Sequence, residues 1–299
     1  MPEPIYIAGP TGAGKTAVAL ELARRIGKAE IINGDAFQIY RGIEILSAAP
    51  TIAERAEVTH HLFGELSITE TCDAAKYEAL ARAKIAEVQT RAQPIVVGGS
   101  GLYLKALSHG LGPTPPGDAD LRKQLEVRPL ADLIREYQEL DPAGAEKTNL
   151  KNRRYVTRNL EICLLSGRPA SELKSEWATQ ATDLSAFFLN WEREVLYQRI
   201  NARTLAMFSA GVVEEIAKLD EISETAARAI GIAEIQNLIA GKMSEAECIE
   251  SVQQQTRRLA KRQISWFRRE PDFDSISLSC EKSVVAVADE ILESVGQIR

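Results

Sequence analysis

Cysteine is scarce in this sequence. Cys72, Cys163, Cys248 and Cys280 lie far apart with no Cys-x-x-Cys pair, which argues against a zinc ribbon and against a disulfide framework; reduced, buried thiols are expected. Histidine is scarcer still. His60, His61 and His109 are the three present, and an adjacent pair cannot offer a metal two ring nitrogens from one helical face. Polar loop or core positions are expected for all three. No apolar run approaches the roughly 18 residues that cross a bilayer, and the N-terminus runs straight into a strand. A cytoplasmic monomer with no membrane partner is therefore expected. Excess positive charge is also missing: 36 Lys and Arg face 42 Asp and Glu, a net −6. That excludes a wholly basic nucleic-acid coat while leaving room for local basic patches. No internal repeat or low-complexity tract is present, and 299 residues suffice for one large α/β domain and a smaller one.

What is present is concentrated near the N-terminus. The apolar run Ile5 to Ala8 stops at Gly9-Pro10-Thr11-Gly12-Ala13-Gly14-Lys15-Thr16, after which an Ala/Leu-rich helical pattern begins. This is the strand, phosphate loop and helix of a P-loop protein. Gly9 and Gly14 let the backbone curl with its N–H groups inward, Lys15 supplies a charge for phosphate oxygens, and the Thr16 hydroxyl can hold Mg²⁺. A di- or triphosphate is expected here; which one, the loop does not say.

Residues 14–26 read as a helix ended by Gly27, Glu30 to Ile32 as a strand, 73–92 as a helix and Ile95 to Val97 as a buried parallel strand. Residues 38–50 read as irregular. Asp35 stands at the tip of the second strand, the edge at which open α/β sheets place ligands, close to the phosphate loop. It is a candidate general base, worth a factor of about 10² to 10⁴, or merely a turn cap in its Asn-Gly-Asp context. Gly98-Gly99-Ser100-Gly101 suggests close approach of a ligand to the third strand's end. That strand carries no terminal aspartate, which makes ATP or GTP turnover less favourable. The Pro/Gly-rich stretch 112–117 predicts a domain boundary, followed by helical sequence to about 186 with Lys147, Lys151, Arg153, Arg154 and Arg158 around a helix start near Asn152. A strand returns at Phe187 to Leu189, and helical periodicity covers 192–218, 224–239 and 245–268. The stretch 253–269 holds Arg257, Arg258, Lys261, Arg262, Arg268 and Arg269 without an acid, interleaved with Trp266 and Phe267. Residues 258, 261, 262 and 265 share one helical face, a candidate phosphate-backbone strip, though such runs are often solvated faces and such tryptophans core. With the cluster at 151–158, two basic walls suggest a clamp on a polyanion. From the residues alone, an enzyme moving a group from a small diphosphate to a nucleic acid fits; a P-loop nucleotide or small-molecule kinase and a nucleotide-gated RNA binder are the alternatives.

The sequence resembles the tRNA dimethylallyltransferase (tRNA isopentenyltransferase) family along nearly its whole length. The resemblance is carried by Gly9 to Thr16, Asp35-Ala-Phe-Gln-Ile-Tyr-Arg-Gly42, His60-His61-Leu62, Val97-Gly-Gly-Ser-Gly-Leu-Tyr103, Asn152-Arg-Arg-Tyr-Val-Thr-Arg158, Gly211-Val-Val-Glu-Glu215 and Thr256 through Phe267 with Ala260-Lys-Arg-Gln263. It implies a P-loop NTPase-like α/β core, residues 1–117 and 187–299, with an inserted all-helical tRNA-binding domain at 118–186. It further implies transfer of the dimethylallyl group of dimethylallyl diphosphate to N6 of the adenosine 3′ to the anticodon, with Mg²⁺ as cofactor and the anticodon stem-loop of tRNA as partner. Gly9 to Thr16 would hold the diphosphate, Asp35 act as base, Ser100 lie near the reacting centre and Arg228 neutralise the diphosphate. Asp35, Ala36, Phe37, Gln38, Ser100, Arg122, Arg154, Tyr155, Val156, Thr157 and Arg158 match tRNA-contacting positions. The sequence departs from the family at Ala36 (serine there), at Leu46-Ser-Ala-Ala-Pro50, where Ala49 replaces a lysine, and at Ile232, which replaces a tyrosine.

Overall fold

The computed structural model describes residues 2–178 and 184–298. The chain divides into two compact units, Met1–Ser108 with Asp183–Arg299, and His109–Thr182. The larger is built on six strands, β1 (Ile5–Ala8), β2 (Ala29–Asn33), β3 (His60–His61), β4 (Gln93–Gly98), β5 (Ser185–Trp191) and β6 (Asp274–Leu278), in the order β3-β2-β4-β1-β5-β6. Every pairing is parallel; Ile5 to Ala8 of β1 lie opposite Ile95 to Gly98 on one side and Ser185 to Phe188 on the other. β1 and β4 are buried at every residue, the reason they read as unbroken apolar runs. Alternation sends Ile5, Ile7, Ile95 and Val97 to the core under the Lys15–Ile26 and Val284–Ile298 helices, and Tyr6, Ala8 and Val96 to the core on the opposite face with Tyr77 and Leu104.

Several elements differ from the sequence reading. β4 lies between β1 and β2, so Asp35 reaches the phosphate loop across one intervening strand. Residues 38–50 include a helical turn, Glu44–Ser47. The 192–218 helix is broken at Gly211, whose φ of 91° ends one segment, Arg193–Ser209, and begins another, Val212–Ala217. The 224–239 pattern is a 3₁₀ turn, Ala226–Arg228, and a helix, Ile232–Ile239. β6 and the Val284–Ile298 helix were not anticipated; β6 buries only Ile276 and Leu278 of its five residues, too few to stand out as a strand.

The smaller unit is helical throughout its described residues: Ala119–Glu126, Leu130–Leu140, Pro142–Lys147, Arg153–Ser166 and Ala170–Ala178 around Leu125, Leu133, Tyr137 and Leu160. Asn152 caps the Arg153–Ser166 helix, accepting from Arg154 N. The unit begins at His109, ahead of the Pro/Gly-rich stretch: the Trp177 indole N–H donates to Gly110 O at 3.0 Å, and a Cβ on Gly112 would fall 2.8 Å from the Trp177 ring. Cys72, Cys163 and Cys248 are free and buried, whereas Cys280 is exposed. Among the described residues no helix is long and apolar enough to cross a membrane.

Candidate functional site

The loop after β1 hands the chain to the Lys15–Ile26 helix. Gly12 and Gly14 adopt φ of 84° and 88°, a left-handed conformation that side chains disfavour. Gly9 is needed for another reason: a Cβ there would sit 3.0 Å from Leu189 O of β5. The left-handed curl thus belongs to Gly12 and Gly14, where the sequence reading gave it to Gly9 and Gly14. The helix carries no acid in its first turn and no side-chain cap, so its leading N–H groups and positive end are left for an anion. Lys15 Nζ donates to Gly9 O at 3.0 Å and Pro10 O at 3.1 Å. Burial pushes its pKa down to about 8; the Asp35 carboxylate pulls it up and Arg203 lowers it further.

These groups wall a cavity of about 430 Å³ that also takes in Thr16, Asp35, Gln38 and His60. Asp35 is held by its neighbours. Its N–H donates to Asn33 Oδ1 (2.8 Å), Asn33 Nδ2 donates to Asp35 O and Leu62 O (3.0 Å each), and Tyr77 holds Asn33 O (2.9 Å). One Asp35 oxygen accepts from Phe37 N at 2.9 Å. So it does cap a turn and also lines the cavity. Ser100 sits just ahead of the Gly101–His109 helix and accepts from Ala36 N at 2.8 Å; it fixes the Asp35 loop without lining the cavity. That bond uses backbone, so the Ala36 departure leaves it intact. A second cavity of about 70 Å³ shares Thr11, Asp35, Ser47 and Arg203 with the first and is otherwise largely apolar, with Phe37, Leu46, Met207 and Leu259.

Two arginines that the sequence reading missed complete the walls. Arg199 and Arg203 lie one turn apart on the Arg193–Ser209 helix, which follows β5, the strand beside β1. Arg199 donates to Gly12 O at 2.8 Å and stacks 4.7 Å from the Trp191 ring, whose N–H donates to Ala13 O. Arg203 donates to the Thr11 hydroxyl. The available signal was their i, i+4 spacing after Phe187 to Leu189, but it points to the loop only once β5 is known to pair with β1. Arg228 is exposed in the 3₁₀ turn and lines neither cavity.

Protein crowds the glycines after β4, and Gly98 also lines the larger cavity. A Cβ on Gly98 would fall 2.0 Å from Gly34 O, and one on Gly101 2.3 Å from the Trp266 ring. Gln263, from the Glu245–Phe267 helix, accepts from Thr11 N (2.9 Å) and donates to Gly99 O (2.8 Å), tying the phosphate loop to β4. Gln263→Glu forfeits the donation to Gly99 and brings negative charge to the loop. It is expected to weaken inorganic pyrophosphate binding about tenfold by calorimetric titration, the size of one charge-assisted hydrogen bond.

His60 lies in β3 with Nδ1 2.7 Å from Val58 O, while its buried Nε2 has no partner; burial pushes its pKa down, which favours the neutral ring. On the outer face of the Glu245–Phe267 helix, Arg258, Lys261 and Arg262 are exposed as expected, and Trp266 is half-buried against the core. In the smaller unit Val156 is fully buried, which removes it from any RNA contact. Arg122 and Arg158 are drawn onto the buried Glu161, at 3.0 and 2.6 Å; they anchor that carboxylate. Arg154 and Tyr155 are exposed on the first turn of their helix and Thr157 is half-buried. Ile232 is buried in the larger unit. No cluster of three or more His, Cys, Asp or Glu suited to a metal occurs among the described residues.

The sequence model described as IPP transferase matches residues 38–270. A tRNA dimethylallyltransferase of Akkermansia muciniphila is 40% identical over 293 residues, covering 98% of this chain and 99% of that protein. Another, tRNA dimethylallyltransferase 1 of Citrifermentans bemidjiense, is 38% identical over 90% of each chain. Among solved structures, the tRNA isopentenylpyrophosphate transferase of Bacillus halodurans superposes with a TM-score of 0.72 at 31% identity, over 100% of this chain and 98% of that one. A eukaryotic dimethylallyltransferase acting on tRNA gives 0.83 at 26% identity, over 100% and 80%.

Proposed function

The chain belongs to the IPP transferase family, and we propose that it transfers the dimethylallyl group of dimethylallyl diphosphate to N6 of the adenosine 3′ to a tRNA anticodon, releasing diphosphate. The observation that carries this reading is one cavity walled by a cationic, glycine-lined anion cradle and by the Asp35 carboxylate. A kinase would be expected to place an aspartate at the end of β4, which instead closes on glycines. The cradle N–H groups and Lys15 stabilise the diphosphate as it departs, where negative charge grows. Asp35 orients the exocyclic amine and takes its proton. The adenine leaves its stack to reach the site, at a cost of a few kcal/mol offset by contacts to the RNA backbone.

Thr16 and Asp35 supply the hard oxygen donors that suit Mg²⁺, which commonly completes its shell with water and phosphate oxygens. Thr16 would hold it, and the ion would supply further charge neutralisation at the diphosphate. The four free thiols accord with a reducing, cytoplasmic setting.

Labelled dimethylallyl diphosphate and unmodified tRNA, with ATP as rival donor, test the proposal: label on tRNA without ATP supports it, and phosphoryl transfer or RNA retention without chemistry refutes it. Exposed Arg154 is proposed to touch the RNA backbone. Arg154→Ala is expected to weaken tRNA binding and reduce the slope of log K against log salt by about 0.7–0.9; an unchanged slope removes that residue from the interface.

A further inference from the structure

We propose that Glu215 is a positioning residue for the apolar half of the donor: it fixes a wall of the smaller cavity and so decides how closely that cavity grips a prenyl tail and how long a tail it admits. This rests on the donor reading above. The smaller cavity, about 70 Å³, is lined by Leu46 and Ser47 together with Phe37, Met207 and Leu259. Met207 and Leu259 stand on long helices, Arg193–Ser209 and Glu245–Phe267. Leu46 and Ser47 belong instead to the single helical turn Glu44–Ser47, too short to be stable on its own. Both oxygens of Glu215 hold it, accepting from Ile45 N at 2.7 Å and Leu46 N at 2.9 Å across 170 residues of sequence. These are two of the leading N–H groups that a helical turn leaves without an internal partner, and this turn has no side-chain cap of its own. At its other end Gln38 Nε2 donates to Ser47 O at 3.0 Å and Ala48 O at 2.9 Å. Ala48 sits at φ 51°, a left-handed conformation that a residue with a Cβ keeps only where its surroundings impose it. Positions 48–50, Ala-Ala-Pro, bring no polar side chain, so the stretch is held through its backbone.

Glu215 lies on the Val212–Ala217 segment, which the break at Gly211 sets apart from the Arg193–Ser209 helix. Val212 and Ile216 of that segment are buried in the same core as Leu46. The Glu215 carboxylate is half-buried and commits both oxygens to backbone, whereas Glu214 beside it is exposed. Charge-assisted bonds of this kind are roughly twice as strong as neutral ones. The hydrogen bonds of Lys15 and Gln263 that shape the phosphate loop involve none of residues 44–48. Loosening the turn therefore opens the apolar cavity and leaves the anion cradle as it is.

Glu215→Gln keeps the size of the side chain but replaces one accepting oxygen by an NH₂ that meets an N–H of the turn. Alkylation of tRNA is followed at varied dimethylallyl diphosphate and at varied geranyl diphosphate, with inorganic pyrophosphate as competitor. For the variant, the KM for dimethylallyl diphosphate is expected to rise about tenfold, the cost of uncovering one or two tail carbons. A loss of binding shared by ground state and transition state leaves kcat nearly unchanged, and the inhibition constant of pyrophosphate, which has no tail, should not move. The ratio of kcat/KM for the dimethylallyl over the geranyl donor is expected to fall by about tenfold with it. A parental KM and a parental ratio overturn the proposal. So does a fall in kcat at parental KM, and so does a pyrophosphate constant that rises by the same factor as KM, which makes Glu215 a general brace of the fold. Should Glu215→Gln fail to fold, Glu215→Asp decides, its carboxylate being shorter by one methylene: a raised KM with an unmoved pyrophosphate constant supports the proposal, and any other result overturns it. A parent that alkylates no tRNA takes the donor reading and this inference with it, whereas a variant indistinguishable from an active parent removes this inference alone.

Discussion

Replacing Asp35 by asparagine is expected to lower the rate of alkyl transfer by about 10² to 10⁴, the usual contribution of a positioned general base, with tRNA affinity nearly unchanged. Asparagine is the informative substitution because the Asp35 side chain has two tasks. One oxygen accepts from Phe37 N and so shapes the loop; the amide oxygen of asparagine can still do that, while the basic site is lost. Asp35→Ala removes both, so any extra loss in alanine measures loop distortion and the loss common to both measures base catalysis. Charge must be controlled as well. Asp35 supports the protonated form of Lys15 against its burial, so its removal lowers that pKa further and weakens donor binding above neutrality. The comparison therefore belongs at saturating donor and slightly acidic pH, where Lys15 keeps its proton in every variant. A Gln- or Asn-like variant at position 35 with parental single-turnover rate under those conditions refutes the base assignment.

Much of this site was legible in the residues because its parts are local in sequence. Gly9 to Thr16 is a continuous turn and helix start, and Asp35 closes a strand only three residues past Ile32, so periodicity and turn chemistry locate both. What escaped is what other elements deliver. Arg199 and Arg203 reach the loop because β5 pairs with β1 after an entire helical unit has intervened, and Gln263 arrives from a helix 252 residues beyond its partner Thr11. The Gly98 to Gly101 run was half legible: glycine reports that something comes close, and here Gly34 backbone and the Trp266 ring do so, while Gly98 also lines the cavity. Charge clusters hide a second tie: Arg122 and Arg158 match RNA-contacting positions, and both also pair with a buried Glu161. Burial of a lone acid cannot be read from local composition, and it also ties its cationic neighbours into the fold.

Lys15→Met is expected to abolish diphosphate binding and yet to make the ligand-free protein more stable at pH 7. In the fold Lys15 is buried with a pKa near 8, against an ordinary 10.5. Between those values the unfolded chain holds a proton that the folded chain has released, so stability rises with pH across that window. Below pH 8 both states are protonated and the penalty for burying the ammonium is present in full, about 3 kcal/mol. Methionine removes that penalty but forfeits the hydrogen bonds to Gly9 O and Pro10 O, about 1 kcal/mol each. The variant should therefore lead by about 1 kcal/mol at pH 7 and trail the parent above pH 10, where the penalty has gone. Inorganic pyrophosphate at a hundredfold excess over its Kd should stabilise the parent by about 2.7 kcal/mol and leave the variant unmoved, and parental affinity should decline as pH rises through 8. Denaturant unfolding at pH 7 and pH 10, with and without pyrophosphate, measures all of this. A variant less stable by the same margin at both pH values means that Lys15 carries no burial penalty, and a cation held there for an incoming anion is then the wrong description of this cavity.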